Sequence, residues 1–158
     1  MKNESNLILE NQDFDHLNLK PYITNGRIKK IIFRNCTFDQ PTLEAFQNCQ
    51  FNDCYLDNLY MRKGQFTNCQ FNNCQLVNLS FCAGDLLWNT FTNCSFINND
   101  FRHIAIENCT FKDCQFQLDN EWMFQPISPI DRNSKLWHEG EWRTVTDWQE
   151  FLRLQTPN

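Results

Sequence analysis

The stretch that decides the fold reads Cys-Gln-Phe-Asn-Asp-Cys-Tyr-Leu-Asp-Asn over residues 49–58, and residues 69–78 read Cys-Gln-Phe-Asn-Asn-Cys-Gln-Leu-Val-Asn. Both stretches place a large apolar residue at every fifth position. Neither an α-helix, with 3.6 residues per turn, nor a flat strand, with alternating side chains, produces a five-residue period. The period therefore predicts a solenoid of stacked repeats. The series is Phe51, Leu56, Met61, Phe66, Phe71, Leu76, Phe81, Leu86, Phe91, Phe96, Phe101, Ile106, Phe111 and Phe116.

A second period, of twenty residues, lies over the first. The small or apolar residues two positions before the series run Cys-Cys-Leu-Gly at 49, 54, 59 and 64, and again at 69, 74, 79 and 84. Four pentads therefore complete one turn, and each side of a turn stacks on the same side of the next at the strand spacing of ~4.8 Å. The sequence predicts an all-β, four-sided helix whose interior is filled by ladders of Phe and Leu.

Short polar residues recur two positions after most members of the apolar series. Asn and Asp tolerate left-handed turn conformations and bond to the local backbone, so these positions are predicted to form the corners. They are Asp53, Asn58, Asn68, Asn73, Asn78, Asn93, Asn98, Asn108 and Asp113.

The phrases Asn-Cys-Gln-Phe-Asn-Asp-Cys at 48–54 and Asn-Cys-Gln-Phe-Asn-Asn-Cys at 68–74 resemble the pentapeptide-repeat protein family. The resemblance covers roughly residues 49–118 and implies a right-handed quadrilateral β-helix. The chain departs from the family pattern by using Cys where Ala is usual. It also has Asn89 and Asn99 at inward small positions, and because buried amides need partners, we expect the third turn to be locally irregular.

The nine cysteines are predicted to pack rather than to bind a metal or form disulfides. Eight of them, including Cys36, occupy the inward small position, where free Cys behaves as a small hydrophobe. Only Cys82 does not. No Cys-x-x-Cys occurs, and stacked neighbours would lie farther apart than the Cβ separation of a disulfide, ~3.8 Å. Unpaired thiols favour a reducing compartment. No cofactor and no metal are expected.

The flanks divide the predicted single domain into a cap at 1–22, an irregular first coil at 23–48, the regular coils at 49–118 and a Trp-rich cap at 119–158. In the first coil Ile23, Ile28, Phe33, Phe38 and Leu43 step by five, with Thr24-Asn25-Gly26 as a tight turn. Residues 44–48 are expected to absorb the change of phase. The N-terminal segment is expected to cover the open end of the core, as terminal elements of solenoids do.

The C-terminal segment is predicted to contain a hairpin and a short helix. Lys135–His138 and Glu141–Val145 flank Glu139-Gly140, and Thr146 can N-cap a helix that contains Trp148. A lid over the last coil is one interpretation of this segment. Because Trp is enriched at interfaces, an arm for a partner or a homodimer contact is the other.

Catalysis is not expected. The three histidines, His16, His103 and His138, lie in three different regions, and neither a phosphate-binding loop nor a Gly-x-Ser-x-Gly elbow occurs. The interior is filled by apolar side chains and offers no cavity. There is also no apolar run long enough for a membrane span and no signal peptide at the polar N-terminus, so the expected location is cytoplasmic, without a membrane partner.

The family resemblance includes proteins that protect bacterial topoisomerases by resembling DNA. Duplex DNA carries one charge per ~1.7 Å of axis, so a rod of ~24 Å would have to present roughly fourteen charges. Residues 44–118 contain seven acidic and four basic residues, a net charge of −3 by subtraction. Because this charge is too small for a mimic of DNA, a DNA-mimicking topoisomerase (DNA gyrase) protector is kept only as the alternative hypothesis. A toxin-neutralising immunity protein is the next alternative. With a pI of about 5.1, nucleic-acid binding is not expected.

The favoured hypothesis is a rigid, non-catalytic platform for protein recognition in a bacterium. Its evidence is apolar residues at outward positions, where the rest of the solenoid is polar. Exposed apolar residues mark interaction sites or are covered by another segment; here the cover could be the tail, a second copy or an unidentified protein partner. The candidate partner-binding residues are Val77, Cys82, Leu87, Trp88, Ile97, Trp137, Trp142 and Trp148.

Overall fold

The computed structural model describes residues 6–39, 45–61, 64–117, 134–138, 140–144 and 150. Within these ranges, a short helix, α1 (His16–Leu19), and a 3-10 turn at Lys20–Tyr22 accompany nineteen short strands. The strands are β1 (Leu7–Glu10), β2 (Asp13–Phe14), β3 (Arg27–Lys29), β4 (Ile31–Arg34), β5 (Thr37–Asp39), β6 (Ala45–Gln47), β7 (Gln50–Asn52), β8 (Tyr55–Asp57), β9 (Gln65–Thr67), β10 (Gln70–Asn72), β11 (Gln75–Val77), β12 (Asp85–Leu87), β13 (Thr90–Thr92), β14 (Ser95–Ile97), β15 (Ala105–Glu107), β16 (Thr110–Lys112), β17 (Gln115–Gln117), β18 (Lys135–His138) and β19 (Glu141–Arg143).

The strands form three sheets, parallel except for the last strand of sheet A, that make three sides of a β-solenoid. Sheet A runs β1-β4-β7-β10-β13-β16-β18-β19, sheet B runs β2-β5-β8-β11-β14-β17, and sheet C runs β3-β6-β9-β12-β15. The fourth side has only isolated bridges, from Tyr60 to Ser80 and from Ser80 to Asp100. The chain visits sheet A, sheet B, the fourth side and sheet C in that order, so sheets B and C face away from each other.

The twenty-residue register is confirmed across the regular coils. Phe71 pairs with Phe51 on one side and Phe91 on the other, and Leu76 pairs with Leu56 and Phe96. Every member of the predicted apolar series from residue 51 to residue 116 is buried. The interior is therefore the predicted one.

Stacked phenyl rings run along the inside of sheet A. The ring centroids of Phe51 and Phe71 are 4.6 Å apart, those of Phe71 and Phe91 4.8 Å, and those of Phe91 and Phe111 5.0 Å. The planes of these pairs lie within 13° of parallel. The ring spacing follows the strand spacing because both are set by the same backbone ladder. The ladder leaves the interior filled from one coil to the next.

The predicted corners are confirmed by their backbone conformation. All nine Asn and Asp positions have φ between 52° and 55°. Side-chain amides also bond from coil to coil along these columns. Asn68 Nδ2 donates to Asn48 Oδ1 at 2.7 Å, and Asn93 Nδ2 donates to Asn73 Oδ1 at 2.9 Å. At these corners a conformation that Asn tolerates is combined with a hydrogen bond that a short amide can make.

The N-terminal segment covers the core with strands of its own. β1 pairs with β4 and β2 with β5, and Leu9, Phe14 and Leu19 are buried. Asp15 caps α1 by accepting from the backbone N–H groups of Leu17 and Asn18. The Thr24-Asn25-Gly26 turn is confirmed, because both central residues have positive φ and residues 24 and 27 exchange hydrogen bonds.

The five-residue series does not change phase at residues 44–48, where the change was expected. Phe46 stacks on Phe66 with ring centroids 5.3 Å apart and pairs with Ile28 on the strand below. The regular register therefore includes β6 and already holds at residue 45, so the change falls between β5 and β6 rather than at 44–48. Phe46 lies five residues before Phe51, so the period counted backward from the regular coils includes it, whereas the count forward from Phe38, eight residues earlier, passes over it. Leu43 lies outside the described residues.

The third turn is regular, contrary to expectation. Asn89 Nδ2 donates to the Phe66 carbonyl at 2.8 Å, and Asn89 Oδ1 accepts from the Cys69 N–H at 2.9 Å. Asn99 makes the equivalent pair of bonds with the neighbouring coil. Each amide therefore finds both partners in the backbone of the coil before it, and the strands on either side keep their register.

The C-terminal hairpin is confirmed over its described residues. β18 adds to sheet A beside β16, and β19 returns antiparallel to it around Gly140, which has φ 86°. Leu136 and Ser134 are buried against the last coil, and the Ser134 hydroxyl accepts from the Cys109 N–H at 3.0 Å. This part of the tail continues the solenoid at its C-terminal end. The helix predicted after Thr146, with Trp148, lies outside the described residues.

We predict that Phe91→Ala lowers the free energy of unfolding by about 3–5 kcal/mol, because Phe91 is fully buried between two stacked rings and truncation leaves a cavity. Denaturant unfolding of the full chain measures this loss. Thr90→Ala, an exposed position on the same strand, is the control and should change stability by less than about 0.5 kcal/mol. Equal losses for the two variants would contradict the register.

Candidate interaction surface

The structure places the candidate residues in four separate locations. Val77 and Ile97 lie on sheet B, Cys82 lies on the fourth side, and Leu87 and Trp88 lie at the corner that joins sheet C to sheet A. Trp137 and Trp142 lie on the C-terminal hairpin. The outward apolar residues therefore do not form one patch, because sheets B and C are opposite sides of the solenoid.

Val77 and Ile97 are direct neighbours on adjacent strands of sheet B. The same column continues downward as Asp57 and Asp39 and upward as Gln117. Both aliphatic side chains are half-buried, as most residues of this column are. Packing between neighbouring strands accounts for this pair without an outside partner.

Cys82 differs from the other eight cysteines, as predicted. Those eight are buried, and all nine are free thiols. The buried sulfurs lie near backbone carbonyls: Cys74 Sγ, for example, is 3.3 Å from both the Asn72 and Phe51 oxygens. Burial raises the pKa of the Cys36 and Cys69 thiols, which disfavours the reactive thiolate. Cys82 is half-buried on the fourth side.

Trp88 occupies a conformation that tryptophan rarely adopts. Its φ is 57°, and 53% of its surface is exposed. The equivalent corner of the two preceding coils is asparagine, at Asn48 and Asn68, and that of the following coil is Asn108. The left-handed region costs an ordinary L-residue about 1–2 kcal/mol. Asn68 Nδ2 donates to Asn48 Oδ1, and Trp88 cannot extend this ladder upward, because an indole has no oxygen to accept an equivalent bond from the coil above.

Glu107 lies beside this corner and was not among the predicted residues. It pairs with Leu87 on the adjacent strand, and its carbonyl accepts from the Trp88 N–H at 2.9 Å. Its side chain is exposed. The twenty-residue period was the signal that could have identified it, because residue 107 is one coil above residue 87.

Trp137 and Trp142 face each other across the C-terminal hairpin. Their ring centroids are 5.2 Å apart in an edge-to-face arrangement, and Lys112 Nζ lies 5.0 Å from the centroid of Trp137. Trp137 is half-buried, whereas 45% of Trp142 is exposed. The two indoles thus stabilise the hairpin by contact with each other and with a cation.

Asp100 and Arg102 form a local ion pair on the fourth side. Burial would raise the pKa of the Asp100 carboxyl, but hydrogen bonds from the Arg102 side chain and backbone outweigh it and lower that pKa. Arg102 Nη2 lies 2.6 Å from Asp100 Oδ2. Within the described ranges, no group of three His, Cys, Asp or Glu side chains is arranged to hold a metal ion, and no helix is long and apolar enough to cross a membrane.

The family model described as "Pentapeptide repeat region" matches residues 44–118, just under half of the chain. Together with the twenty-residue register, this match identifies the stretch as a pentapeptide-repeat β-solenoid. No curated protein matches the chain.

Among solved structures, the chain is similar to two forms of QnrB1, a plasmid-mediated fluoroquinolone resistance protein. A trypsin-treated form has 14% identity and a TM-score of 0.25, with 83% of this chain and 91% of that chain covered. The full-length form has 14% identity and a TM-score of 0.24, with 94% and 95% covered. At these values the likeness carries no argument about function.

We predict that Trp88→Asn raises the free energy of unfolding by about 1 kcal/mol, because asparagine tolerates the left-handed conformation that tryptophan resists. Denaturant unfolding measures the change. The reciprocal variant, Asn68→Trp, should lose at least as much, since it also breaks the amide bond to Asn48. A less stable Trp88→Asn protein would show that the corner is not strained.

A thiol-reactive reagent should label one cysteine of the native protein rapidly and the other eight only on unfolding. The fast group is Cys82, because the eight others are buried in the core. A spectrophotometric thiol titration with and without denaturant counts both sets. Cys82→Ser should remove the fast phase alone. Rapid labelling of several thiols in the folded protein would contradict this assignment.

Proposed function

We propose that this chain is a rigid, non-catalytic protein-interaction module and that it engages its partner through the corner formed by Leu87 and Trp88. The observation that carries the proposal is Trp88 itself. It is a large, exposed aromatic residue held in a left-handed backbone conformation, at a corner where the neighbouring coils use asparagine. Nothing in the interior requires it, because its side chain faces outward.

The energetic argument compares the cost of Trp88 with what it can supply. At this corner, the backbone conformation is about 1 kcal/mol less favourable for tryptophan than for asparagine. Tryptophan also does not continue the ladder of amide hydrogen bonds. The fold imposes the same conformation at its other corners, including Lys30, Ala83 and His103, so what distinguishes Trp88 is its size and exposure. Tryptophan is also among the residues most enriched at binding hot spots, where its loss typically costs 2 kcal/mol or more. A partner contact of that size offsets the cost of the corner.

The solenoid suits this role because it presents the corner without rearrangement. Leu87 lies between Thr67 and Glu107 in a continuous parallel sheet, and the Trp88 N–H is bonded to the next coil. A surface held in this way pays little conformational entropy on binding. Trp142 at the C-terminal end is a further contact candidate, and a homodimer through the C-terminal region is retained as an alternative use of the hairpin.

The compartment is part of the same proposal. We propose a bacterial cytoplasmic protein, and its free thiols support a reducing environment. The bacterial source is an expectation from the family resemblance.

Protection of a topoisomerase is the alternative, and the charge distribution argues against a mimic of DNA. Along the outward column of sheet B, Asp39 and Asp57 give way to Val77 and Ile97. On the fourth side, Asp100 is paired with Arg102. The described residues therefore do not form an acidic stripe along the whole solenoid. A gyrase supercoiling assay with and without a fluoroquinolone tests this alternative, since a protector should restore supercoiling in the presence of the drug.

The proposed function predicts that Trp88→Asn abolishes partner binding although it stabilises the fold. The immobilised full chain is incubated with native cytosol, and proteins retained specifically by the wild type are identified and quantified. We expect at least a tenfold loss of the retained partner with Trp88→Asn, because the loss of an interfacial tryptophan anchor typically exceeds 1.4 kcal/mol.

The matched control is the double variant Trp88→Asn/Asn93→Trp. It keeps the number of tryptophans and moves the exposed indole to another corner of the same solenoid. Retention by this variant equal to that of the wild type would mean that the indole acts by non-specific adhesion. Full retention by Trp88→Asn alone would contradict the proposed function.

A further inference from the structure

The surface beside Trp88 combines an aromatic ring, an aliphatic side chain and a carboxylate. Leu87 pairs with Glu107 across adjacent strands of sheet C, and the Trp88 N–H donates to the Glu107 carbonyl at 2.9 Å. The backbones of the three residues are thereby held together at one strand spacing, ~4.8 Å. The Trp88 and Glu107 side chains are both exposed.

The charge that sheet C presents at this surface is negative. One basic residue, Lys135, lies on the adjoining sheet A, where its backbone N–H donates to the Cys109 carbonyl at 2.8 Å. Glu107 has no ion-pair partner among the described residues. Asp85, on the same strand as Leu87, accepts from Gln65 Nε2 at 2.8 Å, which leaves its charge uncompensated. The basic residues that the structure describes on sheet C belong to β3 and its corner, three strands from β12. That separation is ~14 Å at the strand spacing.

We infer that this corner receives an arginine side chain of the protein partner. The inference rests on the proposed function and names the chemistry of the group that Trp88 binds. A guanidinium can stack on the indole face of Trp88 while its N–H groups donate to the Glu107 carboxylate. Its methylene stem then covers Leu87, in the way that long basic side chains cover apolar surface.

Arginine fits this combination better than lysine does. The guanidinium is planar and presents several donors in a rigid fork, so one group can stack on a ring and bind a carboxylate in two places. An ammonium is a strongly hydrated point charge and cannot do both with the same geometry. A neutral apolar side chain would leave the carboxylates of Glu107 and Asp85 without a counter-charge at the interface.

The test uses the full chain and N-acetylarginine amide as the probe. The indole N–H resonance of Trp88, identified by its loss in Trp88→Phe, is followed by NMR as the probe is added. We expect a saturable shift of this resonance, a dissociation constant about fivefold higher for the lysine analogue, and no shift with the uncharged citrulline analogue.

Two variants test whether the Glu107 carboxylate binds the arginine probe. Glu107→Gln should raise the dissociation constant of the arginine probe about fivefold, the size of one exposed ionic contact. Asp113→Asn removes one negative charge at a different corner, where asparagine already stands one coil earlier at Asn93, and should leave the constant unchanged. An equal effect of the two substitutions would overturn the inference, because it would reduce the binding to general charge.

Further outcomes also overturn the inference. These are an unshifted Trp88 resonance, equal binding of the lysine analogue, and a shift with the citrulline analogue as large as that with arginine. None of them touches the proposed function, which depends on the loss of partner retention in Trp88→Asn. If that variant retains the partner in full, the proposed function fails, whatever the probe does.

Discussion

The parallel hydrogen-bond ladder between coils is the interaction on which the rest of the structure depends. It requires that each residue meets its counterpart one coil away at the strand spacing, so any side chain placed inside must stack on a compatible one. Phe51, Phe71, Phe91 and Phe111 satisfy this requirement with nearly parallel rings. Asn89 satisfies it differently, by bonding to the backbone of the preceding coil. The interior thus tolerates an amide wherever the ladder itself supplies both of its partners.

The same ladder organises the surface, because each outward residue also has a counterpart in the next coil. A residue that differs from its column can therefore be recognised by comparison with its own neighbours. Trp88 differs from the asparagines of its column in size, in conformational preference and in hydrogen bonding. Val77 and Ile97 also differ from the residues below them, but they contact each other. Packing between neighbouring strands therefore explains Val77 and Ile97, whereas it does not explain Trp88.

The arrangement of the sheets also determines which of the outward apolar residues lie close enough to form one binding surface. Val77, Cys82, Leu87, Trp88 and Ile97 share a small part of the sequence, and a patch made of all five is a reasonable hypothesis from spacing alone. In the solenoid they occupy three sides, and the aliphatic pair lies opposite the tryptophan. The neighbour that matters for Trp88 is Glu107, nineteen positions farther along the chain but one strand away.

The sequence by itself determined the five-residue period, the four-sided coil, the identity of the regular core and the corner positions, because each of these repeats at a fixed interval. The first coil was less predictable: Phe46 follows Phe38 by eight residues although it precedes Phe51 by five, and its stacking on Phe66 shows that it belongs to the regular register. The regularity of the third turn depended on hydrogen bonds that a list of residue types does not contain. Only the tertiary structure decided how far Trp88 is exposed and that its N–H bonds to the Glu107 carbonyl, since exposure and contacts between coils arise when the coils stack.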